Sequence, residues 1–296
     1  DRACKADRSK EASELASSKA DRFAELRSSE LASSYQKVGS SKLSGLTVDA
    51  YDNIGKAASS RRSSPPSANC PAIPCTRTLI EFACSPDSVI GCMSDRKRVR
   101  VHRLSLDKCD LTTSHGFKYA LDLVRSEPGC SMHGSLPCTP WSAYTHLNLH
   151  KHGEKFRRKM VAARARSMIM LKHFCLLVRE VVVQGGDVSF EWPRYCTGWQ
   201  LEPILKIIKR YNMKSVSFDG CSLGVVSTKG VPIKKPWRII TTSSLLADSL
   251  SSCRCPRNHD HVACAGKETI RTGFYTQALA GKILDGLVCH HPFVSP

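Results

Sequence analysis

The chain contains no run of about 18 consecutive apolar residues, so no segment of its 296 residues is expected to cross a bilayer as a helix. Its first residues, Asp1-Arg2-Ala3-Cys4-Lys5, hold no apolar h-region, and no signal peptide is expected. An initiating Met is missing too, which gives the expectation of a piece of a longer polypeptide. Acidic residues are short: 26 Asp and Glu face 44 Lys and Arg, leaving +18. Such a field favours polyanions, with nucleic acid, DNA first, as the expected partner. The 15 cysteines lack the spacing of a small secreted framework. Buried thiols in an intracellular compartment, nuclear or cytoplasmic, are expected instead.

Large apolar residues are sparse over the first 70 or so positions, so little core is available there to offset the entropy of ordering. SELASS occurs at Ser13–Ser18 and Ser29–Ser34, and KADR at Lys5–Arg8 and Lys19–Arg22. These copies are too few for a solenoid. Residues 1–75 therefore read as a low-complexity basic tail and linker, disordered or loosely helical.

From Thr76 onward apolar periodicity takes over. Short apolar strands are expected at Thr78–Ala83, Arg98–Leu106, Ser131–Leu136, Asp187–Glu191, Lys214–Phe218 and Trp237–Thr242. Helical spacing falls at Ser114–Arg125, Lys155–Val183, Gln200–Tyr211 and Thr276–Leu287. This alternation predicts an α/β domain over 76–296, doubly wound around a mostly parallel sheet. Ligands of such sheets sit at the carboxyl ends of the strands. That rim gathers Cys84–Asp87, Asp107–Asp110, Pro137–Trp141, Glu191–Pro193 and Asp219–Cys221.

Leu136-Pro137-Cys138-Thr139-Pro140-Trp141-Ser142 places a thiol on a proline-stiffened turn. It reads either as a rigid turn around a buried cysteine or as a nucleophile aimed at the cleft. Ser189-Phe190-Glu191-Trp192-Pro193 adds a carboxylate just past the next strand. A thiol beside a carboxyl suits attack on an electron-poor ring whose nitrogen is protonated. Separately, Cys253, Cys255, His259, His261 and Cys264 supply nitrogen and sulfur donors for zinc, or form a polar loop in which those residues are incidental. Arg96–Arg98 and Lys155–Arg166 read equally as phosphate contacts or as solvated faces.

PCTPWS resembles the Pro-Cys loop of cytosine-5 DNA methyltransferases, and FEWP resembles their glutamate motif, with Trp192 in the Asn position. Leu79–Gly91 resembles their opening strand and cofactor loop. Gly230–Thr241 resembles their arginine-bearing strand, and Gly273–Leu287 their closing helix. The similarity covers about 78–287 and extends to the methyltransferase-like domains of some retroelement polyproteins. It implies a class I methyltransferase fold, S-adenosylmethionine as cofactor and transfer to carbon 5 of cytosine. Cys138 would attack carbon 6, Glu191 would contact ring nitrogen 3, and Arg238 would match an arginine of the family. Phe82, Cys84, Ser85 and Asp87 would line the cofactor, with Asp107 on its ribose and Asp110 near its adenine. A duplex base would have to flip out to reach such a site. The loop carries Cys84-Ser85-Pro86-Asp87 where the family has glycines, and Pro236 replaces a second arginine. The competing expectation is a non-catalytic nucleic-acid-binding or scaffold module that keeps the fold.

Overall fold

The computed structural model describes residues 77–288. The tail and linker expected at 1–75 lie outside the described residues. The sheet has six strands: β1 (Thr78–Cys84), β2 (Arg100–Ser105), β3 (Ser131–Gly134), β4 (Val188–Pro193), β5 (Lys214–Asp219) and β6 (Pro236–Thr241). Their spatial order is β2-β1-β3-β4-β6-β5. Strands β1 to β4 pair in parallel, while β6 runs antiparallel to both β4 and β5. The helices are α1 (Val89–Cys92), α2 (Ser94–Lys97), α3 (Ser114–Ser126), α4 (Thr145–Val183), α5 (Glu202–Arg210), α6 (Ser244–Ser251), α7 (Lys267–Arg271) and α8 (Gln277–Val288).

Period-two alternation sends each strand into two separate cores. Ile80, Phe82, Met132, Val188, Phe190 and Trp192 point to one face, where Val124 of α3, Phe174 and Val178 of α4, and Ile204 of α5 cover them. Leu79, Phe218, Trp237 and Ile239 point to the other, beneath Leu246 and Leu250 of α6 and Ile283 and Leu287 of α8. Helices on both faces are what parallel strands require, because each strand is buried on both sides.

Helix α4 owes its seam to Met160, Ser167, Leu171, Phe174, Val178 and Val181, all buried at helical spacing. It starts ten residues before the expected Lys155, but Gly153 breaks it with φ 60° and ψ −150°. The periodic stretch thus corresponds to the straight part beyond that kink. Gly134 at the end of β3 has a packing reason, since a Cβ there would lie 2.5 Å from the Phe174 ring.

Three consequences of this frame position the site. Chain order reverses between β1 and β3, because β2 lies on one side of β1 and β3 on the other. A crevice opens at such a switch point. At the end of β1 the register with β2 slips between Phe82 and Cys84, and Ala83 takes φ 60°. This bulge re-aims the loop that follows. Lastly, Glu81, His133 and Ser189 stand side by side across β1, β3 and β4, which puts all three on one face, with Glu191 next along it.

Candidate functional site

A cleft of about 280 Å³ opens at the switch point. Phe82, Ala83, Cys84, Ser85, Ser88 and Glu81 line it from the β1 side, His133 and Ser135 from the β3 side, and Gly273-Phe274-Tyr275 from the segment before α8. Of the residues expected to bind the cofactor, Phe82, Cys84 and Ser85 are in this wall. Asp87 is exposed beside it and accepts a hydrogen bond from the Ser85 hydroxyl. Asp107 and Asp110 follow β2 and are exposed. Asp110 shapes its own turn, accepting from the Thr112 backbone N–H at 2.8 Å and the Thr112 hydroxyl at 2.6 Å.

The floor of the cleft is a buried polar row. Glu81 accepts a 2.5 Å hydrogen bond from the Ser88 hydroxyl, which also caps α1. Burial raises the Glu81 carboxyl to about 7, against the pull of Ser88 and of the nearby Arg103 charge. His133 is enclosed, with Nδ1 2.7 Å from the Ser189 hydroxyl and Nε2 3.0 Å from the Tyr275 hydroxyl. Desolvation lowers its imidazole to about 3, so it is neutral at physiological pH. Tyr275 then donates to Glu191 Oε2 at 2.9 Å, and Ser135 donates to the same oxygen at 3.0 Å.

Glu191 is therefore joined to the cleft through the two residues that form its wall. Its other oxygen, Oε1, is buried without a partner. Burial raises the Glu191 carboxyl, opposed first by the Lys235 charge and then by Tyr275 and Ser135. Cys138 sits on the turn after β3, immediately before the 3₁₀ segment Thr139–Trp141. Burial raises its thiol, the Glu191 charge raises it further, and Lys235 lowers it. Cys138, Glu191 and Lys235 thus form one electrostatic neighbourhood. Arg238 is elsewhere: it pairs with Trp192 across β4 and β6, on the opposite sheet face from Glu191. There its Nε donates to Ser215 at 2.8 Å and its guanidinium lies 4.8 Å from the Trp199 ring centre.

The Pro-Cys turn is braced from one side. Arg164 of α4 donates to the Pro140 carbonyl at 2.8 Å, and the Trp141 indole donates to Ser167 at 2.8 Å. Trp192, buried in the position where the resemblance has Asn, donates to the Leu136 carbonyl at 2.8 Å and so ties β4 to the same turn.

The structure alters the expected metal set. Cys255, His259 and His261 come together, and Cys221 joins them from the turn after β5, with all donor atoms within 4.8 Å of one another. This group could hold a metal ion. Cys253 and Cys264 are not part of it: Cys253 is buried against α6, its thiol pointing to the Ser249 carbonyl, and the Cys264 sulfur contacts the Thr272 hydroxyl at 3.2 Å. Alternation within one loop could not reveal Cys221, which lies on the far side of β6. Likewise His133, Tyr275, Ser135, Glu81 and Lys235 were missed. Each reads locally as an ordinary strand or loop residue and becomes notable only through its partner.

Among the described residues no helix is long and apolar enough to cross a membrane. No protein-family model, no curated protein and no solved structure matches this chain.

Proposed function

We propose that residues 77–288 form a cytosine-5 nucleic-acid methyltransferase-like domain that takes S-adenosylmethionine in the cleft at the β1–β3 switch point and belongs to the kind found in retroelement polyproteins. The reading rests above all on Glu191, a buried carboxyl with a raised pKa, one unpartnered oxygen and the Cys138 thiol in its field. A carboxyl whose pKa is raised by burial shares a proton more readily with an acceptor nitrogen of a heteroaromatic ring, which is the role the resemblance gives it. The single antiparallel strand inserted next to the sheet edge agrees with a class I methyltransferase sheet, which differs in this from an all-parallel one.

The cleft residues suit the cofactor in two respects. Glu81 is a buried carboxyl poised near neutrality, and a cationic ligand would draw it into the charged form. Ala83 takes a left-handed φ of 60°, which turns the loop after β1 along the edge of the cleft. Phe82, Cys84 and Ser85 would hold the group, which when bound supplies an electrophilic methyl. The chain's own work is then to position the base. Cys138 must lose its proton to add to carbon 6, and Lys235 is the nearby cation that favours the thiolate. Ser135 and Tyr275 orient the Glu191 carboxyl toward the ring nitrogen, leaving Oε1 for it.

Fluorine in place of hydrogen at cytosine carbon 5 blocks the elimination that frees the sulfur. DNA carrying 5-fluorocytosine should therefore trap the protein when S-adenosylmethionine is present. Cys138→Ser should abolish the adduct while leaving nucleic-acid binding nearly intact.

A second reading has its own support. The Cys138 thiol is raised by burial, and Arg238 lies on the wrong face to meet Glu191. Both suit a binding or scaffold module that keeps the fold without the chemistry. No adduct with DNA or RNA, combined with no calorimetric signal for the cofactor, would select it.

A further inference from the structure

We propose that Cys221, Cys255, His259 and His261 bind one structural zinc ion, and that this ion clamps the long segment delivering Phe274 and Tyr275 to the cleft. The four donors come from two loops, one after β5 and one after α6. Cys255 Sγ lies 3.7 Å from His259 Nε2 and 3.4 Å from His261 Nε2, and Cys221 Sγ lies 3.3 Å from His261 Nε2. Zinc bonds of about 2.3 Å to sulfur and about 2.0 Å to nitrogen, set at tetrahedral angles, separate S and N by roughly 3.5 Å. The side chains already stand near that spacing. Two thiolates and two neutral imidazoles cancel the charge of a divalent ion and fill all four positions, which is the composition of a structural site rather than a catalytic one.

The surroundings orient the ligands. His259 Nδ1 lies 3.0 Å from the Asn258 side-chain oxygen, leaving Nε2 to the cluster. The Arg257 backbone N–H donates to Cys255 Sγ at 3.3 Å. Asp219 stitches the two loops together independently of any ion. Its carboxylate accepts from the Cys255 N–H at 3.0 Å, and its own N–H donates to the Cys253 carbonyl at 2.9 Å.

Between α6 and α7 the chain has no regular structure, so few ladder hydrogen bonds fix it. Beyond the cluster Val262 N–H donates to the Pro232 carbonyl at 3.1 Å, Lys235 reaches the Thr272 carbonyl, and Tyr275 meets His133 and Glu191. An ion joining Cys221 to His261 would therefore secure the near end of the segment that ends at Tyr275.

The full chain, purified with zinc and dialysed, should retain about one zinc per molecule. Cobalt in its place should give the intense visible bands of a tetrahedral site with thiolate charge transfer. Cys221→Ser and the more exposed His261→Ala should each lose the metal, whereas Cys253→Ser and Cys264→Ser should keep it. Chelation should lower the thermal midpoint of the wild type and leave that of His261→Ala unmoved. Should Cys221→Ser fail to fold by circular dichroism, His261→Ala carries the test. Retention of zinc by His261→Ala, its loss from Cys264→Ser with the fold intact, no zinc in the wild type, or an octahedral cobalt spectrum would overturn the proposal.

Discussion

At the scale of single residues, two buried titratable groups on adjacent strands oppose each other in pH dependence. Glu81 rises from an ordinary 4.5 to about 7 because burial disfavours its charge. The unfolded chain ionises this group first, so its contribution to stability is greatest at low pH and falls as pH rises from about 4.5 to 7. At 1.36 kcal/mol per unit the loss approaches about 3 kcal/mol. His133 falls from 6.5 to about 3, so the unfolded chain protonates first and stability drops as pH falls below 6.5. Between those limits the slopes have opposite signs and partly cancel. Glu81→Gln keeps an acceptor for Ser88 and removes one slope. Urea midpoints taken from pH 5 to 8 should show the variant gaining on the wild type as pH rises. A constant difference across that range would mean that Glu81 titrates as an exposed carboxyl does.

Elements were legible in the sequence where they were periodic and long enough to repeat. The six strands and the four main helices α3, α4, α5 and α8 follow from apolar alternation and spacing. Helix α6 was not anticipated, because Ser244–Ser251 is short and preceded by a polar strand end that reads as loop. Two of the five expected metal donors, Cys253 and Cys264, lie outside the group that the structure brings together, for a related reason. Spacing along a loop says which donors are near in the chain, but Cys221 meets Cys255 because β6 runs antiparallel to β5 and α6 then carries the chain back to the end of β5, where the Asp219 N–H donates to the Cys253 carbonyl. Register also decides the place of Arg238: opposite Trp192 it must share that residue's face, one step out of phase with Glu191. The tight approach of α4 to β3 gives an element-scale prediction. Gly134→Ala would drive a methyl to within 2.5 Å of Phe174, and either strand or helix must shift. Overpacking of this kind costs about 1–3 kcal/mol. Chemical denaturation should report that loss with little change in slope, and a neutral result would show that the Phe174 ring gives way freely.

Charge belongs to the molecule as a whole, and most of it lies within the folded unit. Residues 77–288 hold 32 Lys and Arg against 17 Asp and Glu, so +15 of the +18 resides there and the preceding residues are nearly balanced. Part of it is carried by α4, where Lys155, Arg157, Arg158, Lys159 and Arg166 are exposed. Arg157 is engaged with Glu154 at 3.5 Å, whereas the same helix braces the Pro-Cys turn through Arg164 and Ser167. A polyanion lying along the exposed side of α4 would meet Lys155, Arg158, Lys159 and Arg166. Binding of this kind is driven by counterion release, and log K falls linearly with log salt at about 0.9 per phosphate contacted on duplex DNA. Replacing Arg158, Lys159 and Arg166 together by Ala should flatten that slope by up to about 3 and weaken binding similarly for all sequences, since phosphate contacts carry no base information. Fluorescence anisotropy with one duplex and one scrambled duplex, titrated from low to physiological salt, measures both effects. An unchanged slope in the triple variant would move the nucleic-acid face away from α4, and salt-independent binding by the wild type would remove the electrostatic basis for it altogether.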